Sequence, residues 1–146
     1  MASVVFNKCL SELFNGNLDL AVDDIRVALL MTNTTADTNE DAATLSALTL
    51  DEQDGTNYVR KALTTETVTQ DDTNDLAKFD ADDVTWTALG AGTRNTQGAL
   101  VYKHVTNDAD SIPLFFVDFG NQVVHTGADY TLVWNSSNGI ATIQQG

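Results

Sequence analysis

The segments Ala99-Leu100-Val101-Tyr102-Lys103-His104-Val105-Thr106 and Pro113-Leu114-Phe115-Phe116-Val117-Asp118-Phe119, joined by Asn107-Asp108-Ala109-Asp110-Ser111, carry the reading that decides the fold. Both flanks are rich in aliphatic and aromatic residues that suit a pleated, buried surface. The connection between them consists of the Asn, Asp and Ser residues that favour turns. The pattern therefore predicts two antiparallel strands. Pro113, the only proline, sits at the start of its strand, where a missing backbone donor is tolerated.

Outward from this pair, strand signals recur. On the C-terminal side, Tyr130, Leu132 and Trp134 alternate with Thr131 and Val133, and Asn135 to Gly139 turns the chain into a last strand, Ile140 to Ile143. On the N-terminal side, Val84, Trp86 and Ala88 share one strand face before Gly90-Ala91-Gly92 breaks the pattern, and Trp86 reads as a core anchor. Tyr58 to Thr69 reads as a strand or a bent pair interrupted near Leu63-Thr64-Thr65, with a turn at Asp71-Asp72-Thr73-Asn74. Asp24 to Thr32 has period two, with Ile25, Val27, Leu29 and Met31 on one face. Asn33 to Asn57 is rich in Thr, Asn, Asp and Ala, and reads as a long irregular surface excursion with one helical turn near Leu45, Leu48 and Leu50.

The beginning of the chain differs. Phe6, Leu10, Leu13 and Phe14 fall on one helical stripe, with Ser3 as a cap and Gly16 as a stop, so residues 1–16 are expected to form an amphipathic helix. That stripe either packs on the domain's own sheet or binds a partner. Many short strands, one helix and no helical crossovers define a mainly β chain. The expected fold is one antiparallel β-sandwich or small barrel, Ig-like or jelly-roll-like, over residues 1–146. No internal repeat or linker divides it.

Composition narrows the function. Seven Lys and Arg against 21 Asp and Glu give a net charge of -14, which repels nucleic-acid phosphates and anionic lipid surfaces. The same charge suits a basic partner surface. Hydrophobic residues make up 42% of the chain and charged residues 19%, placing it outside the disordered class. Cys9 is the single cysteine, so no intrachain disulfide can form. With no positively charged leader pattern and no apolar run of spanning length, synthesis and folding in a cytoplasm are expected.

Chemical constellations are sparse. The acidic runs Asp71-Asp72-Thr73-Asn74-Asp75, Asp80-Ala81-Asp82-Asp83 and Asp108-Ala109-Asp110 read first as turns. If one of them took calcium through its oxygens, Asp80, Asp82 and Asp83 would be the ligands, although none of the runs follows the calcium-loop pattern. His104 and His125 lie in separate strand-like segments without a metal or nucleophile motif. Cys9 on an apolar stripe reads as a small hydrophobe. Gly90-Ala91-Gly92-Thr93-Arg94 lacks the Lys-Ser/Thr ending of a phosphate loop, and Ser136-Ser137 has no nucleophile-elbow pattern. No catalytic set and no cofactor is expected.

Five phrases in order give a more specific expectation: Asn15-Gly16-Asn17-Leu18-Asp19-Leu20, Asp24-Ile25-Arg26-Val27-Ala28-Leu29-Leu30, Phe79-Asp80-Ala81-Asp82-Asp83-Val84-Thr85-Trp86, Ala99-Leu100-Val101-Tyr102-Lys103, and Asp129-Tyr130-Thr131-Leu132-Val133-Trp134-Asn135. Together they resemble a family of small structural proteins of tailed bacteriophages. The resemblance covers most of the chain, is weakest between Asn33 and Asn57, and transfers no catalytic role. It implies a virion component made in the bacterial host cytoplasm, in first place a capsid decoration or cement protein on the outer head surface. Implied partners are the major capsid protein, other virion proteins and further copies of the chain, trimers among them. A tail or head-to-tail connector component is the alternative, and a carbohydrate-binding β module or a hydrolase are the competing classes.

Overall fold

In the computed structural model, which describes residues 3–144, the chain runs β1 (Val4–Val5), α1 (Asn7–Phe14), β2 (Ile25–Met31), a 3-10 turn (Leu45–Ala47), β3 (Lys61–Ala62), β4 (Thr67–Asp71), β5 (Leu76–Asp80), β6 (Val84–Trp86), β7 (Thr96–Lys103), β8 (Ile112–Val123), β9 (Tyr130–Leu132) and β10 (Ala141–Gln144). Strand outweighs helix, and every pairing is antiparallel, giving a mainly β, sandwich-like fold. The sheets have orders β1-β8-β7-β2-β3, β10-β5-β4 and β6-β9, and none closes into a barrel. No described helix is long and apolar enough to cross a membrane.

The hairpin read from the sequence is the centre of the largest sheet. β7 pairs with β8 on one side and β2 on the other, and its residues Thr96 to Tyr102 are all buried. Both faces of the strand are therefore covered. β2 is likewise buried on both faces from Val27 to Met31, so the alternation seen in its sequence gives way to continuous burial, as expected for a central strand. Pro113 lies where the β7–β8 register shifts between Val101 and Tyr102. On the other edge of β8, the Leu114 carbonyl accepts the Phe6 N–H at 3.1 Å, continuing the β1–β8 register by one residue.

The register also fixes a glycine. A Cβ at Gly98 would lie 2.5 Å from the Phe116 ring and 2.5 Å from the Val117 carbonyl oxygen, so that position has no room for a side chain. In the β6–β9 pair, Trp86 is fully buried, stacks on Tyr58 with ring centroids 6.4 Å apart, and donates its indole N–H to the Val59 carbonyl at 2.7 Å. Beyond Trp86 the alternation ends. Ala88 adopts a positive φ of 49°, and Leu89 takes the buried position in its place.

Several expectations need correction. The helix starts at Asn7, because Val4 and Val5 pair with Phe116 and Phe115 as a strand. Phe6 is the N-cap residue without a side-chain bond, and Ser3 instead accepts the Asp118 N–H at 3.0 Å. Gly16 does end the helix, at φ 71°, with its N–H on Leu13 and the next N–H on Glu12. The segment 33–57 is irregular and largely at the surface, but it is anchored inward by Ala36, Ala42, Leu45, Leu48 and Gln53, which are buried. Its one helical turn falls where the leucines predict it. Leu76–Asp80, which starts between two acidic runs and to which the sequence pattern assigns no element, is a strand completing a hairpin with β4.

Arg60 locks the irregular segment to the hairpin tip. Its guanidinium bonds both carboxylate oxygens of Glu52 and both of Asp108, and lies 5.5 Å from the centre of the Tyr102 ring. Two stability outcomes follow from the core. Trp86→Ala is expected to cost about 3–5 kcal/mol in denaturant unfolding, and a loss below about 1 kcal/mol would show that the indole is dispensable. Gly98→Ala should cost about 1–3 kcal/mol through overpacking against Phe116, and unchanged stability would contradict the observed close approach.

Candidate functional site

The three-stranded sheet has one apolar face. Its register pairs Val68 and Ala141 with Phe79, and Ile143 with Ala77, so these five side chains point the same way. Phe79 reaches the main sheet, its ring centroid 6.3 Å from that of Phe115, and is buried there. The rest of the face is left partly open. Between it and α1 lies a groove of about 630 Å³, walled on the helix side by Val5, Leu10, Leu13, Leu18 and Leu20. The volume falls in the range of ligand-sized clefts.

Exposure distinguishes this groove from ordinary core. Val5 is 46% exposed, Leu10 39%, Val68 53% and Ile143 62%, and all four line it. Clustered apolar exposure of this kind marks binding surfaces. The helical stripe read from the sequence is divided accordingly. Phe6 is fully buried and Leu13 half-buried, whereas Leu10 opens onto the groove and Phe14 is 91% exposed. Inward packing uses Cys9 instead.

The groove holds little that could do acid–base chemistry. Among its lining residues only Asp19 and Lys78 are charged. Asp19 accepts the Ala21 N–H at 3.1 Å, and Lys78 lies 3.5 Å from Asp80. Apolar walls of this kind favour contact with apolar groups over contact with water. Beside it is a more open, polar depression lined by Gln70, Asp71, Asp72 and Asp75, which shares Ala77 and Ile143 with the groove.

The other singled-out residues are placed elsewhere. Asp80 accepts the Ala81 N–H, Asp82 accepts the hydroxyls of Thr64 and Thr65, and Asp83 accepts the Trp134 N–H at 2.9 Å. The three carboxylates are directed to three different segments of the chain, and among the described residues no group of three His, Cys, Asp or Glu side chains is placed to hold a metal ion. Asp71 closes the β4–β5 turn by accepting the Thr73 and Asn74 N–H groups. The Gly90–Arg94 loop directs the Thr93 N–H to Asp54 at 2.7 Å and pairs Arg94 with Asp51, so its donor is used within the fold. Ser137 donates its N–H to Asn135 in the turn before β10. Trp134 is buried, with its indole N–H on the Asp82 carbonyl at 3.0 Å, so neither tryptophan offers a sugar-stacking platform.

Burial pushes the Cys9 thiol up to about 12, so it packs as a hydrophobe. The two histidines sit at opposite ends of β7, roughly 25 Å apart at the strand's rise per residue. His104 follows the strand and meets Tyr102 edge-on. His125 is buried, hydrogen-bonds Thr96 at 2.9 Å and lies edge-on to Tyr130 at 4.7 Å. Gln53 donates to the same Thr96 hydroxyl at 3.0 Å. This polar knot escaped sequence reading, since its members are separated by 43 and 29 residues along the chain.

Comparison with family models, with curated proteins and with solved structures finds no match to this chain.

The His125 knot sets a pH response. Burial lowers its pKa from the ordinary value of 6.5, favouring the neutral ring in the folded chain. Below about pH 6.5 the unfolded chain binds more protons, so stability falls as pH falls. Asp51 and Asp108, held low by hydrogen bonds from Arg94 and Arg60, contribute stability that is lost only at more acidic pH, below their ordinary 3.8. The melting temperature should therefore decline between about pH 7 and pH 5, and His125→Gln should flatten that slope. An equal slope in the variant would assign it to other groups.

Proposed function

We propose that this chain is a binding and assembly protein, specifically a structural component of a tailed-phage virion, in first place a decoration protein on the outer head surface. The observation that carries the binding reading is the open groove, where apolar side chains of α1 and of β4, β5 and β10 stand exposed around a common cleft. The virion assignment is supported by the resemblance of the five ordered sequence phrases described above. An acidic outer surface favours solubility at high copy number.

Decoration would act by mass action. A protein that binds only the assembled shell stabilises it by the binding free energy at each of many equivalent sites. No bond is made or broken. Heads formed without this protein are expected to assemble but to fail at a lower temperature, and adding the purified chain back should restore them, as followed by release of packaged DNA on heating. Presence on the tail alone, with heads equally robust in its absence, would reject decoration and favour a tail or connector component.

A further inference from the structure

We propose that the groove between α1 and the three-stranded sheet receives an apolar segment of a partner protein whose end carries Lys or Arg residues. The proposal rests on the assembly reading above only in taking the occupant to be a protein. Two adjoining surfaces define the occupant. The groove itself demands aliphatic or aromatic side chains, since its walls are Leu10, Leu13, Val68, Phe79 and Ile143. Side chains entering it would complete the burial of Val68 and Ile143, which the chain's own helix leaves more than half exposed.

The second surface gives the polarity. The neighbouring depression begins at the shared residues Ala77 and Ile143 and is lined by three carboxylates, Asp71, Asp72 and Asp75. A segment running out of the groove in that direction meets negative charge directly. Cations on the segment would be attracted at close range, and anions repelled. A second copy of this chain fits poorly as the occupant, because each copy carries a net charge of -14. Recognition by apolar anchors with a charged end is a common mode for peptide segments lying in a groove.

The test uses the full chain and two synthetic peptides of about a dozen residues, each with leucines at alternate positions, one ending in Lys-Arg-Lys and the other in Glu-Asp-Glu. The basic peptide is expected to bind and to shift the amide signals of Ala77 and Ile143. Val68→Asp and Ile143→Asp, at exposed positions and checked for folding by circular dichroism, should weaken it by about ten-fold or more. Asp72→Asn combined with Asp75→Asn should weaken the basic peptide alone, as should added salt. Equal binding of the two peptides, or binding indifferent to Ile143→Asp, would overturn the proposal. So would a dimer seen in sedimentation and abolished by Ile143→Asp, which would give the groove to a second copy. Phage heads separate the two readings. If Ile143→Asp binds both the basic peptide and heads as well as the unaltered chain does, the groove proposal falls and the virion reading stands. If the unaltered chain binds the basic peptide but not heads, the groove proposal stands and the virion reading falls.

Discussion

A strand with no exposed face governs the rest of this molecule. Because β7 is flanked by β2 and β8 and covered on both sides, every residue from Thr96 to Tyr102 must be apolar, absent as a side chain, or hydrogen-bonded. Ala99, Leu100 and Val101 meet the first condition and Gly98 the second, while Tyr102 sets its ring beneath the Arg60 guanidinium. At the polar end, Thr96 is tied to Gln53 and His125, while Gln97 donates to Asp37 at 3.1 Å. Those partners come from the irregular segment 33–57 and from the loop after β8. Covering the strand thus accounts for the side chains that a segment so polar in sequence sends inward.

The same demand organises the charges. Among the described residues, six of the seven Lys and Arg side chains form ion pairs: Lys8 with Glu12, Arg26 with Asp24, Arg60 with Glu52 and Asp108, Lys78 with Asp80, Arg94 with Asp51, and Lys103 with Asp23. Several join distant segments, as Arg60 and Arg94 do. The cations are therefore spent on internal ties, and the surplus carboxylates are left to set the sign of the surface. Exposed pairs of this kind contribute little each, and Arg60, with two carboxylates and an aromatic ring around it, is the one built as a network.

Sequence reading located most strands because period-two patterns and turn residues are local signals. It identified the β7–β8 hairpin, the bent pair around Leu63 and the alternating Tyr130–Trp134 segment, and it placed Trp86 in the core. It failed where tertiary contacts override local preference. In segment 33–57, where Thr, Asn and Asp dominate, a few Ala and Leu residues anchor the chain inward while most of its polar residues stay at the surface. The helical stripe was legible, but its division into inward Phe6 and outward Phe14 depends on β1 fixing where the helix begins. Strand β5 was hidden by its acidic flanks, although Ala77 and Phe79 alternate with Lys78 and Asp80. The groove was beyond reach for a further reason. Val68, Phe79 and Ile143 become neighbours only through strand register, which the sequence of any single segment does not specify.

The sheet edges have a consequence for how such a molecule tolerates crowding. Sheets grow by adding strands to open edges, and long flat edges invite fusion between copies. The main sheet ends in β1 and β3, each of two residues, so neither edge strand itself offers a long ladder to extend. The small sheet ends in β4 and β10, of five and four residues, and is the weaker guard. Its hairpin tip, however, carries Asp71, Asp72 and Asp75, so copies meeting edge to edge there would bring like charges together. Neutralising that tip with acid or counterions would remove the electrostatic part of this barrier, leaving the short ladder as the remaining obstacle to fibrous self-pairing.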